Sequence, residues 1–374
     1  MKEGWKMVKL GEVFKLQSGE NLPAKHMQKG KYPVYGGNGI SGYHNAYNMI
    51  GDNIIIGRVG ALCGNARYIT EPFWLTDNGF RVILNTEYKI DYKYLTCYLN
   101  FANLRQYAKQ TAQPVISNVA LKEVDIILPP LEEQHRIVSI LDESFEKIDA
   151  LKKNAEENLK NAKALFQQVL AQELKPKEGW VEKKLGEIGV GKLTYGSATP
   201  AQDYDGAVRY VRITDIDDNG NLSNERKSPS TIDAKYFLNE GDLLFARTGA
   251  TVGKTYLYKK SDGRCLYAGY LIRLKVNKDV VNPLFVFHCT KTSTYWDFIK
   301  KSQRTAAQPN INAEQYSNYT ISFPPSIEEQ HRIVHTLDIL SEKCRRLEQI
   351  AQQTIRECDA LKQSILRQAF SGKL

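Results

Sequence analysis

The sequence contains two copies of one unit, and this repeat limits the possible fold more than any other feature. Lys2-Glu3-Gly4-Trp5 recurs as Lys177-Glu178-Gly179-Trp180, and Glu132–Val138 recurs without change as Glu328–Val334. The order of the repeated motifs is kept, and the distance between corresponding positions drifts only from 175 to 200 residues. Such a pattern indicates a duplicated structural unit with loop insertions. A chain of 374 residues is also long enough for several domains.

Each copy begins with a segment that has the composition of a globular domain. Residues 1–128 and 177–323 contain all 21 Tyr, all 4 Trp and every glycine except Gly372, and each segment has a net charge of +5. Short β-branched runs alternate there with Gly and Asn turns, which is typical of strands. The predicted strands are 53–56, 80–84, 242–246 and 270–274, with helices near 92–109 and 282–301. We predict one small α+β domain with a twisted sheet in each copy.

The remaining segments, 129–176 and 324–374, carry a helical pattern. Apolar residues recur there at steps of three, four or seven, which favours a coiled coil over a lone amphipathic helix. The first set is Ile137, Leu141, Phe145, Ile148, Leu151, Ala155, Ala162, Leu165 and Val169, and the second is Ile333, Leu337, Leu340, Cys344, Leu347, Ala351, Thr354, Cys358, Leu361 and Ile365. We expect the two helices, each about 60 Å long at 1.5 Å per residue, to pair antiparallel, to separate the two domains and to give the chain a pseudo-twofold axis.

The net charge favours a polyanionic partner. Lys and Arg number 51 against 42 Asp and Glu, which gives a net charge of +9 and a pI near 9.0. A mean hydropathy of −0.44, the lack of a long apolar run and the lack of a signal-peptide core predict a cytoplasmic protein. The six cysteines show no zinc-ligand spacing and are expected to be reduced, buried residues, with no metal bound.

Two related but non-identical basic domains held on a rigid spacer predict a particular kind of ligand. Such a molecule would read two short DNA sequences separated by an unread gap of fixed length, because the helices set the spacing. Since the two domains differ in sequence, the two half-sites should differ as well. The predicted target is bipartite and asymmetric.

This arrangement resembles the specificity subunit of prokaryotic type I restriction-modification enzymes. The most specific motifs are LPPLEEQHRIVSILD at 128–142 and PPSIEEQHRIVHTLD at 324–338, supported by PVYGGNGISGY at 33–43 and by the two R-x-G-A boxes. The resemblance spans the whole chain. It implies two target recognition domains on an antiparallel helical spacer, and a non-catalytic subunit that recruits two methyltransferase subunits and, through them, translocating restriction subunits. S-adenosylmethionine, ATP and magnesium would then bind only to the partner subunits. The bases that are read do not follow from the resemblance.

Three motifs that suggest catalysis or nucleotide binding do not fit their patterns. Gly37–Gly42 matches GxGxxG, but we expect no strand before it and no helix after it, so we interpret it as a surface turn. Gly249–Thr255 separates its glycines by three residues where a phosphate loop needs four, and its sister copy Gly60–Asn65 has no lysine. The two proline pairs lack the Asn or Asp and the aromatic residue with which adenine methyltransferases hold a flipped base. We predict that the prolines end a strand and start a helix.

The sequence suggests two groups of functional residues. Residues proposed to contact DNA can donate bidentate hydrogen bonds, contact thymine methyl groups or neutralise phosphates; they are Asn38, Ser41, Tyr43, His44, Arg58, Asn65, Arg67, Arg209, Arg212, Thr214, Lys235, Arg247 and Lys254. Residues proposed to contact a partner subunit are Glu132, Gln134, His135, Arg136, Glu328, Gln330, His331 and Arg332. Arg58 and Arg247 could instead be buried and pair with a carboxylate, and His135 and His331 could pack where the domain meets the helix. Gln113 and Asn310 could touch DNA or cap the next helix, as Asn312 could with Gln315.

Two other functions remain open from the sequence. A coiled-coil scaffold with basic ends would bind all duplexes equally, with a steep dependence on salt. A nuclease or methyltransferase contained in this one chain would be active by itself with magnesium or S-adenosylmethionine. No set of nucleophile, base and orienting carboxylate recurs in both copies. This argues against an enzyme.

Overall fold

The computed structural model describes residues 2–109, 113–303 and 309–374. The chain folds into two compact units, Met1–Ala155 with Gln353–Leu374, and Glu156–Gln352. Strands and helices occur in both, which confirms the α+β class. Each of the two long helices contributes one part to each unit, so the units are described separately.

The described residues of the first unit form nine strands, and its helices include the start of the first long helix, α4. The strands are β1 (Lys6–Lys9), β2 (Phe14–Ser18), β3 (Tyr32–Gly36), β4 (Gly39–His44), β5 (Asn53–Gly57), β6 (Ala66–Ile69), β7 (Trp74–Leu75), β8 (Gly79–Leu84) and β9 (Asp125–Leu128), and the helices are α1 (Leu10–Val13), α2 (Tyr92–Phe101), α3 (Asn118–Lys122) and α4 (Leu131–Glu173). The sheets have the orders β2-β8-β5-β6, β4-β3-β7 and β1-β9.

The second unit begins within α4 and contains the remaining strands. The strands are β10 (Val181–Lys184), β11 (Thr194–Tyr195), β12 (Ala201–Asp203), β13 (Arg209–Val211), β14 (Lys227–Pro229), β15 (Asp242–Ala246), β16 (Thr255–Leu257), β17 (Cys265–Tyr267), β18 (Leu271–Lys275) and β19 (Thr320–Phe323), and the helices are α5 (Pro283–Cys289), α6 (Ser293–Ser302), α7 (Ala313–Ser317) and α8 (Ile327–Phe370). The sheets have the orders β11-β18-β15-β16, β12-β14, β13-β17 and β10-β19.

The sequence repeat is a repeat of topology. Each unit has a four-stranded antiparallel sheet, a short parallel pair (β3 with β7, β13 with β17) and an antiparallel pair that joins the start of the domain to the strand before the long helix. Among the described strands, those without a counterpart in the other unit are β4 in the first unit and β12 and β14 in the second. The two copies therefore share their main sheets and differ in the additional strands next to them.

Two predicted helices are shorter than the sequence pattern suggested. The helix predicted near 92–109 ends at Phe101, because Asn103 adopts a left-handed backbone conformation with φ of 47°. The helix predicted near 282–301 is two helices, because the Thr292 side chain accepts a hydrogen bond from the Tyr295 N–H and caps a new start. A backbone turn or a side-chain cap can therefore end a helix even where the pattern of apolar and polar residues continues.

The two long helices pair antiparallel within each unit, as predicted. In the first unit Asp149 contacts Lys362 at 2.6 Å and Lys152 contacts Asp359 at 2.7 Å, so higher numbers on one helix meet lower numbers on the other. The C-terminal end of α8 adds Phe370, whose ring packs 5.0 Å from that of Tyr98 in the domain core. The first domain is thus held by both helices.

In the second unit the opposite ends of the same helices meet. Phe166 lies beside Cys344, and Leu170 shares a buried cluster with Ile333 and Leu337. Because residues later in α4 contact residues earlier in α8, the pairing here is also antiparallel.

The apolar seam is narrower than the heptad pattern predicted. Leu151, Leu165, Leu347 and Leu361 are exposed, which corrects their assignment to a buried stripe. One set of buried positions steps by seven residues along each helix, and several of them carry small side chains: Leu141, Ile148, Ala155 and Ala162 on α4, and Leu337, Cys344, Ala351 and Cys358 on α8. Small residues let the backbones approach closely, so the bulkier leucines lie at the margin of the contact.

The proline pairs and cysteines have the structural roles that the sequence predicted. Strand β9 ends before Pro129-Pro130 and α4 begins at Leu131, and the second copy repeats this before α8. All six cysteines are free thiols, and all are buried except the half-buried Cys97. The interpretation of Gly37–Gly42 was wrong in one respect: strand β3 precedes this segment and strand β4 follows Gly37-Asn38, so it forms a hairpin.

Candidate nucleic-acid interface

Each unit presents an arginine at the end of a central strand, in the R-x-G-A box. We call these positions the arginine corners, Arg58 after β5 and Arg247 after β15. The Arg58 N–H donates to the Asn78 carbonyl at 2.9 Å, and its own carbonyl accepts from the Ile116 N–H at 2.9 Å. Arg247 makes the equivalent bonds to Tyr270 and Ile311, at 3.0 and 2.9 Å. The two corners therefore share one backbone frame.

Glycines recur at the corners because the backbone requires them. Gly64 and Gly253 have φ of 88° and 89°, a region that residues with a Cβ rarely adopt. A Cβ on Gly64 would lie 2.6 Å from the Arg105 nitrogen, and one on Gly253 would lie 2.9 Å from the Trp296 ring. This supports the interpretation of these glycines as turn residues rather than as a nucleotide-binding loop.

The side-chain surroundings of the two arginines differ. The Arg247 guanidinium lies 4.8 Å from the centre of the exposed Tyr195 ring, and its Nε donates to Asn310 Oδ1 at 3.3 Å. In the part of the chain that the structure describes it forms no ion pair. Arg58 instead lies 5.4 Å from the buried Phe80 ring and donates from Nη1 to the Asp77 carbonyl at 3.3 Å.

Three other cations suggested for the second domain are paired with carboxylates. Arg212 Nη2 lies 2.6 Å from Asp215, Lys235 lies 2.9 Å from Asp233, and Lys254 lies 2.9 Å from Asp218. The ion pairs with Lys235 and Lys254 lower the pKa of the Asp233 and Asp218 carboxyls. Pairing reduces the net charge that these lysines offer to phosphate. Thr214 is exposed.

The residues suggested for the first domain gather around the β3–β4 hairpin and its neighbours. Asn38, Ser41, Tyr43 and Asn65 are exposed. Asn38 Oδ1 accepts from the Leu62 N–H at 2.9 Å, and Ser41 Oγ donates to the Val34 carbonyl at 3.2 Å. Arg67 is half-buried, and its Nη2 would lie 3.4 Å from a Cβ on Gly39 in the hairpin.

Two suggested DNA contacts are corrected by burial. His44 is 7% exposed; its Nδ1 accepts from the Gln28 N–H at 3.0 Å, and its ring packs edge-on against Trp74. Arg209 is 6% exposed and donates to the Ser223 carbonyl at 2.7 Å. Both side chains hold loops in place and do not reach the surface, so neither can read a base from this position.

The repeated E-E-Q-H-R motif contains a buried glutamine in each copy, which corrects two suggested partner contacts. Gln134 Oε1 accepts from the Asp91 N–H at 2.8 Å, and its Nε2 donates to the carbonyls of Lys89 and Pro129 at 3.0 and 2.9 Å. Gln330 makes the equivalent bonds to Asn282, Val280 and Pro324. These glutamines fasten the long helix to its domain.

The rest of the motif faces outward in the same way in both copies. Glu132, His135 and Arg136 are exposed in the first copy, as are Glu328, His331 and Arg332 in the second. Within each motif an arginine pairs with the glutamate three residues before it, at 2.7 Å. Arg136, assisted by Lys2, lowers the pKa of Glu133 to about 2. Each unit therefore presents one charged surface of the same composition.

Comparison with known proteins decides the family. The family model for the type I restriction modification DNA specificity domain matches residues 2–161 and 177–357. The chain belongs to this family.

Curated relatives and solved structures agree with the assignment to specificity subunits. The EcoprrI specificity subunit of Escherichia coli is 36% identical over 138 residues, which cover 36% of this chain and 34% of that protein. The EcoBI specificity subunit of E. coli is 25% identical over 288 residues, which cover 69% of this chain and 60% of that protein. The chain thus covers less than two thirds of the length of either relative.

Two solved structures have the same fold as this specificity subunit. A chain from work on complex assembly and conformational transition of the type I R-M system superposes with a TM-score of 0.75 at 21% identity, covering 100% of this chain and 99% of that one. The HsdS subunit from Thermoanaerobacter tengcongensis gives a TM-score of 0.55 at 22% identity, covering 100% and 98%.

Sequence reasoning about the specificity subunit missed several exposed side chains. Tyr195, which lies under Arg247, gave no signal, because the two residues are 52 positions apart and the contact depends on the packing of β11. Ile40 and the lysines of residues 21–51 could have been found, because that stretch has no acidic residue. Asn310 was considered without being assigned, whereas the predicted cap of Asn312 on Gln315 is confirmed.

Two further properties of the described residues concern metal binding and membrane insertion. Within residues 2–109, 113–303 and 309–374, no cluster of three or more His, Cys, Asp or Glu side chains has an arrangement that could hold a metal ion. No helix in the same ranges combines the length and apolar character needed to cross a membrane.

Proposed function

We propose that this chain reads a bipartite, asymmetric DNA sequence for a type I restriction-modification complex. Residues 1–128 and 177–323 would each read one half-site, and the helical segments 129–176 and 324–374 would set the unread gap. The observation that carries the proposal is the pair of arginine corners, which have one backbone frame and different side-chain surroundings. A shared frame would place both arginines alike, and different neighbours would give them different base preferences.

The chain is proposed to contribute recognition and no chemistry. Each globular segment has a net charge of +5, which suits contact with phosphates, and phosphate contacts supply most of the affinity of DNA-binding proteins. Methylation and cleavage would reside on partner subunits, which would also hold S-adenosylmethionine, ATP and magnesium. The complex would act on DNA in the prokaryotic cytoplasm.

The exposed charged surface at the start of each long helix is proposed as the partner contact. Glu132, His135 and Arg136 recur as Glu328, His331 and Arg332 with the same exposure. Two equal surfaces suit two copies of one methyltransferase subunit, through which translocating restriction subunits would join. The identity of these exposed residues in both copies supports this role, since solvation alone requires polar residues on a helix surface but not the same ones.

Footprinting tests the proposal. The purified chain, mixed with the methyltransferase subunits of its host, should protect two short sequences separated by a constant gap, and methylome sequencing of the host should find the same pair. Equal protection of all duplexes, with binding that falls steeply with salt, would contradict specific reading and would indicate a scaffold. Nuclease or methyltransferase activity of the isolated chain with magnesium or S-adenosylmethionine would contradict the proposal that catalysis resides on the partner subunits.

A further inference from the structure

Residues 21–51 of the first unit form a surface that we call the basic hairpin. The segment contains Lys25, Lys29 and Lys31 and no acidic residue. All three lysines are exposed, and none of them forms an ion pair with another described residue. Their charges are therefore not neutralised within the protein.

The strands of the basic hairpin carry a β-bulge that matters for its surface. Strand β4 is at the edge of its sheet, and its register against β3 shifts between Val34 and Tyr35, so that Ser41 has no partner. Ile40 consequently pairs with Tyr35, and Tyr43 pairs with Pro33. Because residues paired across antiparallel strands share a face, and Pro33 and Tyr35 lie two residues apart, the bulge brings Ile40 and Tyr43 to one face.

Large apolar side chains are exposed on this hairpin. Ile40 is 51% exposed and Tyr43 is 55% exposed, and Tyr47 and Ile50 beyond the strand are exposed as well. Exposed apolar groups grouped on one element indicate a binding surface. Positive charge around them selects a polyanion rather than a protein core or a lipid tail as the occupant.

The lysine-bearing loop is fixed against the strands. The Gln28 N–H donates to His44 Nδ1 at 3.0 Å, and Asn45 Nδ2 donates to Gln28 Oε1 at 2.7 Å. Lys31 Nζ lies 5.3 Å from the Tyr32 ring. His44 is thus a positioning residue, because its side chain joins the lysine-bearing loop to strand β4. The lysines and the exposed apolar side chains therefore belong to one surface.

The second unit has no equivalent of this surface among its described residues. The 17 residues between Tyr35 and Asn53 contain one acidic residue, whereas the 30 residues between Val211 and Asp242 contain six, with four basic residues. Strand β13, the counterpart of β3, pairs only with β17, and no strand takes the place of β4. The difference between the two domains is concentrated where the hairpin lies.

We infer that the basic hairpin docks into the major groove of duplex DNA and reads the first half-site, and that the second domain reads its half-site without such an element. A two-stranded ribbon fits the major groove, where apolar side chains contact thymine methyl groups. Ile40 and Tyr43 would make these base contacts, and the three lysines would contact the flanking phosphates. This inference rests on the proposed function and specifies how one of the two half-sites is read.

The charge contribution is tested on a random-sequence duplex with the full chain. Replacing Lys25, Lys29 and Lys31 by Gln should reduce the slope of log affinity against log salt concentration by about 2 to 3, because each phosphate contact contributes about 0.9 to this slope. The matched control replaces the exposed Lys15, Lys89 and Lys122 of the same domain by Gln. Equal slopes for the two triple variants in fluorescence anisotropy would overturn the docking.

The apolar contribution is tested on the bipartite target. Ile40→Ala and Tyr43→Ala should each lower affinity about tenfold and relax base discrimination in the first half-site only, with thermal melts showing an intact fold. The controls are Ile83→Ala and Tyr107→Ala, whose side chains are 43% and 40% exposed in the same unit. Replacing thymine by uracil in the first half-site should weaken the wild type and leave the Ile40→Ala, Tyr43→Ala double variant unaffected. Hairpin variants that bind like the control variants would refute base reading by Ile40 and Tyr43. So would an equal loss of affinity, in the wild type and in the double variant, when thymine is replaced by uracil.

The two arms separate failure of this inference from failure of the proposed function. A wild-type complex that protects no gapped sequence rejects the proposed function, and the anisotropy arm on random duplex then still measures whether the hairpin docks on DNA. A wild-type complex that protects a gapped sequence, with hairpin variants that bind and discriminate like the controls, rejects the hairpin alone.

Discussion

At the scale of single residues, the two copies keep the backbone and exchange the side chains around it. Arg58 and Arg247 end equivalent strands with equivalent backbone hydrogen bonds, but one guanidinium lies on a buried Phe80 and the other on an exposed Tyr195. The strand end is fixed by main-chain bonds that do not depend on the side chain. A recognition domain built this way can change its base preference by substitutions around the arginine without refolding.

Arg247 should read a base in the second half-site. Arg247→Ala should lower affinity for the intact target 10- to 100-fold, in line with about 1–3 kcal/mol for a bidentate arginine–guanine contact. Arg247→Lys should keep general affinity and lose discrimination, because an ammonium cannot reproduce the planar fork. Competition with base-substituted duplexes measures both effects.

Lys235→Ala is the control for Arg247. Lys235 is an exposed cation of the same domain that pairs with Asp233. Its loss should weaken binding to all duplexes equally and reduce the salt slope by less than about 1, the value for an unpaired phosphate contact. If Arg247→Ala left the base preference of the second half-site unchanged, Arg247 would have no role in reading sequence.

Gln134 should matter for stability rather than for partner binding. Gln134→Ala leaves the part-buried Asp91 N–H and the carbonyls of Lys89 and Pro129 without their partner, and the bond to Pro129 is fully buried. The expected loss is about 2–4 kcal/mol of unfolding free energy. Glu132→Ala, two residues away on the exposed side of the same turn, should cost under about 1 kcal/mol. Urea unfolding of both variants decides the matter; similar values would show that the glutamine bonds are unimportant.

At the scale of elements, sequence patterns predicted what depends on neighbours in the chain. The proline pairs mark the starts of α4 and α8, and the predicted strands at 53–56 and 242–246 fall within β5 and β15. The hairpin was missed because its second strand is identified by pairing, and the burial of His44 depends on Trp74, 30 residues away. Contacts between distant residues leave no periodic signal.

The apolar seam of the long helices gives a second measure of what the sequence can predict. A heptad count treats Leu337 and Leu347 alike, but Leu337 is fully buried and Leu347 is 51% exposed. Leu337→Ala should therefore cost about 2–5 kcal/mol of unfolding free energy, and Leu347→Ala under about 1 kcal/mol. Chemical denaturation of the full chain measures both. Equal losses would mean that the broader stripe inferred from the sequence is the real one.

At the scale of the whole molecule, the boundary between the compact units offers a direct test of the spacer. The units divide between Ala155 and Glu156 on α4 and between Gln352 and Gln353 on α8. Seven residues inserted at both points preserve the apolar repeat of the paired helices and lengthen each by about 10 Å. The proposed function requires the unread gap to respond to this change.

The insertion should lengthen the gap by about three base pairs at 3.4 Å per pair, or abolish binding if the half-sites then face the wrong side of the duplex, while the bases read in each half-site stay the same. Methylome sequencing of cells carrying the variant complex reads out gap and bases together. As a control, exchanging residues 1–128 for another such domain should change one half-site and keep the gap. New bases at an unchanged gap in the insertion variant would mean that the helices do not measure the distance, because a spacer acts on separation and has no contact through which to alter base choice.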